Sequence, residues 1–138
     1  MGDPSMNTPT AATGTAAVLY VCADRDQWRR ESGRSEAEDQ ARDEGHAYAA
    51  AHGLDIVATY DDPYGEPDPD RRPGWCAMRA RLALGDVRAV ITRWPAAVAP
   101  DSHHETRFAA LRDLQDRGIT VAWTWEFLAA EEGARCGA

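Results

Sequence analysis

Short apolar runs alternate along the chain with longer segments in which apolar residues recur every three or four positions. The runs fall at residues 16–22, 55–60, 87–92 and 119–123. The first of them, AAVLYVC, is apolar throughout, which is typical of a strand buried on both faces of a parallel sheet. Each run is therefore predicted to form a β-strand.

The segment after the first run carries signals for both ends of a helix. Ser35 followed by Glu38 forms a capping-box pattern, and Gly53 is suited to end a helix in the left-handed conformation. A helix is predicted between them, with an inner stripe of mostly small residues at Ala41, Ala47, Tyr48 and Ala51.

Two more segments have helical spacing. A helix predicted at 73–84 has its apolar residues at Trp75, Met78 and Leu82, and one at 103–117 has them at Phe108, Leu111 and Leu114. The segments 61–70 and 93–102 are predicted to be loops, because they are rich in Pro, Gly or polar residues. A short helix is predicted after the fourth strand.

Strands and helices therefore alternate from residue 16 onward. This order predicts an α/β fold: a sheet of about four mostly parallel strands, in three layers, with helices on both faces and a flavodoxin-like topology. The domain is predicted to span 16–131. Residues 1–15 and 132–138 lack periodicity and are predicted to be tails, the first of them disordered.

Composition narrows the class of protein. The chain has 138 residues, of which 43% are hydrophobic and 28% charged, as in an ordinary globular domain. No apolar run approaches the roughly 20 residues that cross a bilayer, and no secretory signal is visible, so a cytoplasmic location without membrane contact is expected. Three widely spaced cysteines favour reduced thiols over a disulfide or zinc scaffold.

Charge argues against a simple nucleic-acid-binding domain. All 15 basic residues are arginine, yet the formal net charge is -8. Contacts with phosphates dominate the affinity of proteins for DNA, and an acidic surface repels a duplex. Any DNA complex of this chain is therefore expected to be weak.

In a parallel sheet, the working site lies at the carboxyl ends of the strands. Asp24, Asp61 and Asp62 follow predicted strands there. Three carboxylates suit a magnesium ion, but aspartates are also common in loops as turn and capping residues, and the second interpretation is preferred. Glycine-rich phosphate-binding motifs are absent from the sequence, so no cofactor is predicted. No metal ion is predicted either, because the aspartates are interpreted as loop residues.

Arg71 and Arg72 stand directly before Pro-Gly at a predicted helix start. Cations are unfavourable at the positive end of a helix dipole, which indicates an anionic partner. That partner is predicted to be a phosphate or, more simply, a local carboxylate such as Asp24 or Asp61.

Several stretches, taken in order, resemble the catalytic domain of serine recombinases of the resolvase/invertase family. They are LYVCAD at the first strand, YAAAHG followed by LDIVATYDD, then DRRPGWCAMRARLALGDVRAVIT, and LRDLQDRGITVAW. The resemblance covers roughly residues 17–123. It implies the parallel α/β fold of that family, whose members attack a DNA phosphodiester with a serine hydroxyl while arginines neutralise the phosphate.

The resemblance carries family positions onto this chain one by one. Aligned on Tyr20, it puts Cys22 where the family has an arginine and Asp24 where it has the nucleophilic serine. Arg72 matches the arginine of the family's R-P-G sequence, which helps to hold the scissile phosphate. Arg93 stands in place of one arginine of the active-site turn. No catalytic residue is assigned with these substitutions in place.

The resemblance therefore implies a degenerate member of the family. Shifting the alignment by one residue puts Ala23 at the nucleophile, so neither register supplies a serine. The expected function is a catalytically inactive interaction or regulatory module that binds a protein partner or forms a homo-oligomer. The alternatives are DNA cleavage and rejoining of the recombinase type, and a flavodoxin-like domain that binds a small ligand or magnesium.

Overall fold

The first strand, β1 (Thr15–Ala23), lies at the centre of the sheet. The computed structural model describes residues 14–23 and 35–125. Residues 17–21 of β1 are all buried, because neighbouring strands and helices cover both faces, as the unbroken apolar run predicts. The predicted tails fall almost wholly outside the described residues, except that Thr15 belongs to β1.

Three further strands complete a parallel sheet. They are β2 (Leu54–Pro63), β3 (Ala89–Thr92) and β4 (Thr120–Trp123), and the order across the sheet is β2-β1-β3-β4. Every pairing is parallel. The prediction of a parallel α/β fold with about four strands is confirmed, and the order agrees with the flavodoxin-like arrangement.

Helix α1 (Glu36–His52) begins and ends where the sequence predicts. The Ser35 hydroxyl accepts a hydrogen bond from the Glu38 amide, and the Glu38 carboxylate accepts one from the Ser35 amide. Gly53 ends the helix with φ of 67°, a left-handed conformation that glycine adopts without steric cost. This helix packs against β1 and β2 on one face of the sheet.

The opposite face carries the other helices of the described residues. Helix α2 (Pro73–Leu82) follows a 3₁₀ turn (Pro69–Arg71), and α4 (His104–Asp116) follows a second one (Asp101–His103). A one-turn helix, α3 (Pro95–Val98), lies within the segment predicted as a loop after the third strand. Helices therefore cover both faces of the sheet, as predicted.

The two faces have cores of different character. On the α2 and α4 face the core contains large side chains, including Tyr20, Trp75, Met78, Leu82 and Leu114. On the α1 face it consists largely of small ones, among them Ala17, Ala49, Ala89 and Ala122. This asymmetry brings α1 close to the sheet and leaves few bulky groups beneath it.

Other details also differ from the sequence predictions. Strand β2 continues through Asp61 and Asp62 to Pro63, so these aspartates belong to a strand and not to a loop. Phe108 is 62% exposed. It lies two steps of three residues before Leu114, and this spacing places it about 120° around the helix from the face that buries Leu114.

The inner face of α1 is also shifted. Ala47 and Ala51 are exposed, while Glu38, Gly45 and Ala49 are buried. These three lie at steps of seven and four, which keep them on one side of a helix. Among the described residues, no helix is long and apolar enough to cross a membrane.

Candidate functional site

The carboxyl edge of the sheet contains a buried hydrogen-bonded group that the sequence did not predict. Asp62, near the end of β2, is 2% exposed. One carboxylate oxygen accepts from the Gly74 amide at 2.8 Å, and the other accepts from the Trp75 amide at 2.8 Å. Asp62 therefore caps the start of α2 from a neighbouring strand, since Arg72, the residue at the cap position, makes no side-chain cap bond.

Gly74 lets α2 approach the strand this closely. A Cβ atom at this position would lie 2.2 Å from the main-chain oxygen of Asp61 and 2.7 Å from an oxygen of Asp62. Backbone cannot yield to such a contact as a side chain can. The Pro-Gly pair after Arg72 is thus explained by close packing of the helix start.

Tyr20 of β1 joins the same group. Its hydroxyl donates to Asp62 at 2.8 Å, and its ring makes an edge-on contact with the Trp75 ring, the ring centres lying 5.0 Å apart. Burial, followed by the nearby Cys22, raises the pKa of Tyr20 far above its ordinary value. The hydroxyl is therefore protonated at neutral pH and acts as a hydrogen-bond donor.

Arg72 points into the protein and is only 3% exposed. Its guanidinium donates to the main-chain oxygens of Glu66 and Ala97, each at 2.8 Å, and to the Tyr20 hydroxyl at 3.4 Å. The predicted pairing of Arg72 with Asp61 is wrong, because the Arg72 guanidinium donates to main-chain carbonyls and Asp61 pairs with Arg42 instead. Asp24, the other predicted partner, lies outside the described residues.

The other candidate arginines are dispersed. Arg71 is exposed and lies in the 3₁₀ turn before α2, so it does not share an anion with the inward-facing Arg72. Asp61 forms an ion pair with Arg42 of α1. Arg93 follows β3 and has its Nε 3.4 Å from a carboxylate oxygen of Glu44.

Cys22, the remaining candidate, lies in β1 one residue before the end of the strand and is half-buried. Its thiol is 3.9 Å from the main-chain oxygen of Pro63. Within the described residues there is no group of three or more His, Cys, Asp or Glu side chains that could hold a metal ion. Asp61 and Asp62 instead have the separate partners given above.

A pocket of about 250 Å³ opens at the carboxyl ends of β1 and β3. Its walls are residues 19–23 of β1, the first turns of α1 and the segment that follows β3. Most of the lining is apolar, with Arg93, Thr92 and Thr124 among the polar residues. Cys22 and Arg93 both line this pocket, whereas Arg71 and Arg72 do not.

Sequence signals for this edge of the sheet are weak. The Asp-Asp-Pro-Tyr-Gly run has the composition of a turn, so the sequence predicts a loop at Asp62. Tyr20 is one apolar residue among seven in the run at 16–22, and nothing in the sequence marks its hydroxyl as buried. The alternation of side chains along β1 and β2 could have placed both on one face if the end of β2 had been known.

Comparison with known proteins identifies the fold. No protein-family model matches the sequence, and neither does a curated relative. The C-terminal catalytic domain of ISC1926 TnpA, an IS607-like serine recombinase, superposes with a TM-score of 0.55 and 15% identity, over 79% of this chain and 67% of that one. The N-terminal catalytic domain of TP901-1 integrase gives 0.59 and 17%, over 80% and 78%. The chain therefore has the fold of serine recombinase catalytic domains.

Proposed function

We propose that this chain is a resolvase-like domain that no longer cuts DNA and serves as a protein-interaction or regulatory module. The observation that supports this most directly is the inward orientation of Arg72. In the family that the sequence resembles, the equivalent arginine helps to hold the scissile phosphate. Here the residue is 3% exposed, and its guanidinium bonds to two main-chain oxygens and to Tyr20.

Two further guanidiniums among the described residues support the same proposal. Arg42 is paired with Asp61, and Arg93 lies against Glu44. Transfer of a phosphoryl group needs several cations that are free to face the phosphate. Each such contact stabilises the transition state by roughly 3 kcal/mol. An arginine that already faces a carboxylate offers less positive potential to a second anion.

Whole-chain charge points away from DNA as a main partner. The net charge of -8 makes the approach of a duplex unfavourable, and this effect is strongest at low salt. A second copy of the chain or another protein is the proposed partner, and binding to DNA, where it occurs, is weak.

Cleavage of supercoiled plasmid tests the loss of activity. We expect the purified chain to leave the plasmid supercoiled and to form no covalent protein–DNA species on denaturing gels. An Asp24→Ser variant, which restores a hydroxyl at the family-equivalent position, is expected to be inactive as well, because Arg72 remains turned inward. Nicking by the unaltered chain would overturn the proposal, and nicking by the variant alone would overturn the argument from Arg72.

Sedimentation of the purified chain tests self-association. We expect a mass above the 15.1 kDa of one chain that rises with protein concentration. A monomer at all concentrations would rule out the homo-oligomer and leave a different protein as the partner. A gel-shift titration with duplex DNA should give no complex at physiological salt, and a tight complex there would contradict the acidic-surface argument.

DNA strand cleavage and rejoining is the second candidate function. The observation that favours it is the likeness of the fold to two serine recombinase catalytic domains. A fold is compatible with many activities, so this argument is weaker than the one from the orientation of the arginines.

A further inference from the structure

We propose that the pocket at the carboxyl ends of β1 and β3 binds a small organic acid with an apolar ring, such as an aromatic monocarboxylate. A cavity of 150 Å³ lined by apolar groups accepts benzene, so about 250 Å³ suits a one-ring or two-ring compound. This proposal does not depend on the one above, since it concerns a ligand and not a macromolecular partner.

The position of the pocket favours ligand binding. Strand β1 pairs with β2 on one side and β3 on the other, and the connections through α1 and α2 cover opposite faces of the sheet. The crevice beyond the carboxyl ends of β1 and β3 is therefore the topological switch point. Open parallel sheets bind their ligands at such points, because the flanking connections diverge there.

Small side chains on α1 create the space. Gly45 lies so close to Leu19 that a Cβ there would be 2.5 Å from a Leu19 methyl carbon, which holds the helix near the sheet. Toward the start of the helix, Ala37 and Ala41 line the pocket instead of larger residues. A leucine at either alanine would occupy volume that is open here.

Polar groups at this pocket fit one hydrogen-bonding acidic function. Thr92 is 1% exposed, lines the pocket, and has a hydroxyl oxygen with no hydrogen-bond partner among the described residues. A buried hydroxyl without a partner is unfavourable, and a bound oxygen atom would satisfy it. Arg93 supplies one positive charge that a ligand carboxylate can share with Glu44.

Aromatic rings favour a cyclic ligand over an inorganic anion. Tyr64 and Trp94 line the pocket and are each about half exposed, and the Arg93 guanidinium lies 4.9 Å from the centre of the Trp94 ring. Rings of this kind stack on the flat face of a ligand. Among the described residues that line the pocket, inorganic phosphate would find one guanidinium, already paired with Glu44, and a mostly apolar wall.

Titration of the full chain with sodium benzoate, followed by two-dimensional amide NMR, tests this proposal. We expect saturable shifts at Val21, Thr92 and Trp94, with a dissociation constant of about 1 mM or below. Inorganic phosphate at the same concentrations should leave these signals in place. Absence of saturable shifts with benzoate overturns the proposal, and saturable shifts with phosphate overturn the ligand class.

Matched variants on one helix locate the binding. Ala41→Leu should weaken benzoate binding at least about tenfold by filling the pocket. Ala50→Leu, at an exposed position of the same helix, should leave it unchanged. Equal binding by the two variants would place benzoate elsewhere and overturn the proposal.

Arg93→Gln provides a second test that does not alter the apolar core. This variant should weaken benzoate while leaving the shifts caused by toluene, the uncharged match, unchanged. If the variant weakened the binding of benzoate and of toluene equally, Arg93 would only shape the pocket. That result would contradict its proposed contact with the carboxylate. Plasmid cleavage does not enter any of these measurements, so failure here and failure of the proposed function are separate results.

Discussion

At the scale of single residues, one buried carboxylate organises the carboxyl edge of the sheet. Asp62 accepts bonds from two amides of α2 and from the Tyr20 hydroxyl, and Arg72 reaches that hydroxyl from the other side. A buried polar network of this kind is favourable only while each member has its partners. Of the two adjacent arginines before Pro-Gly, only Arg72 therefore belongs to this buried network.

Removing the carboxylate should be costly. We expect Asp62→Ala to lower the free energy of unfolding by about 3 kcal/mol, because two amides and a buried hydroxyl lose their acceptor. Urea denaturation followed by circular dichroism measures this change. Asp43→Ala, at an exposed position of α1, is the control and should change stability by less than about 0.5 kcal/mol. Equal effects of the two variants would contradict the proposed role of Asp62.

Burial of the Tyr20 hydroxyl predicts a dependence of stability on alkaline pH. The pKa of Tyr20 is raised in the folded protein, whereas in the unfolded chain it is about 10. Above this pH the unfolded chain releases the proton and the folded protein keeps it. The free energy of unfolding should therefore fall as pH rises beyond about 10, by up to about 1.4 kcal/mol per pH unit.

Tyr20→Phe isolates this contribution. The variant is less stable at neutral pH, since Asp62 loses a donor, but its stability should fall less steeply between about pH 10 and 11. Denaturation at a series of pH values compares the two slopes. Parallel curves for the variant and the unaltered protein would show that Tyr20 ionises as easily in the folded state as in the unfolded one.

At the scale of elements, the start of α2 is fixed by contacts remote in sequence. Helix α1 carries its own capping box, as Ser35 and Glu38 show. Helix α2 has no side-chain cap of its own and uses a carboxylate from β2. The close approach that this cap needs is possible only with glycine at position 74.

Gly74→Ala tests this packing through the sign of its effect. Helix propensity alone favours alanine by up to about 1 kcal/mol. Because the new Cβ would lie 2.2 Å from a main-chain oxygen, we expect instead a loss of about 2 kcal/mol in the free energy of unfolding. Ala77→Gly, at an exposed site of the same helix, should cost about 1 kcal/mol through propensity alone and serves as the control. A stabilised Gly74→Ala variant would contradict the packing argument.

Elements with strong local signals were predicted well. The bounds of α1 agree because its cap and its terminating glycine are both local. The predicted end of β2 is too early, because Asp61 and Asp62 have the composition of a turn and only pairing with β1 keeps them in the strand. The face that Phe108 occupies depends on how α4 rests on the sheet, which its spacing alone does not specify.

At the scale of the whole molecule, one fold supports two separate features. The sheet order brings the ends of β1 and β3 together and leaves the pocket between them. The same order places Arg72 over Tyr20, so a residue that resembles a phosphate ligand in sequence becomes part of the interior.

The amino-acid sequence alone predicts the four strands, the helices α1, α2 and α4, their alternation and hence the parallel α/β class, because these follow from short-range periodicity and from caps. It also determined the net charge and which candidate residues exist. Long-range contacts in the folded chain turn Arg72 inward, place Asp62 at the start of α2 and leave a pocket beside the small residues of α1. Such contacts join residues far apart in sequence, as the 52 positions between Tyr20 and Arg72 illustrate, and no local pattern encodes them.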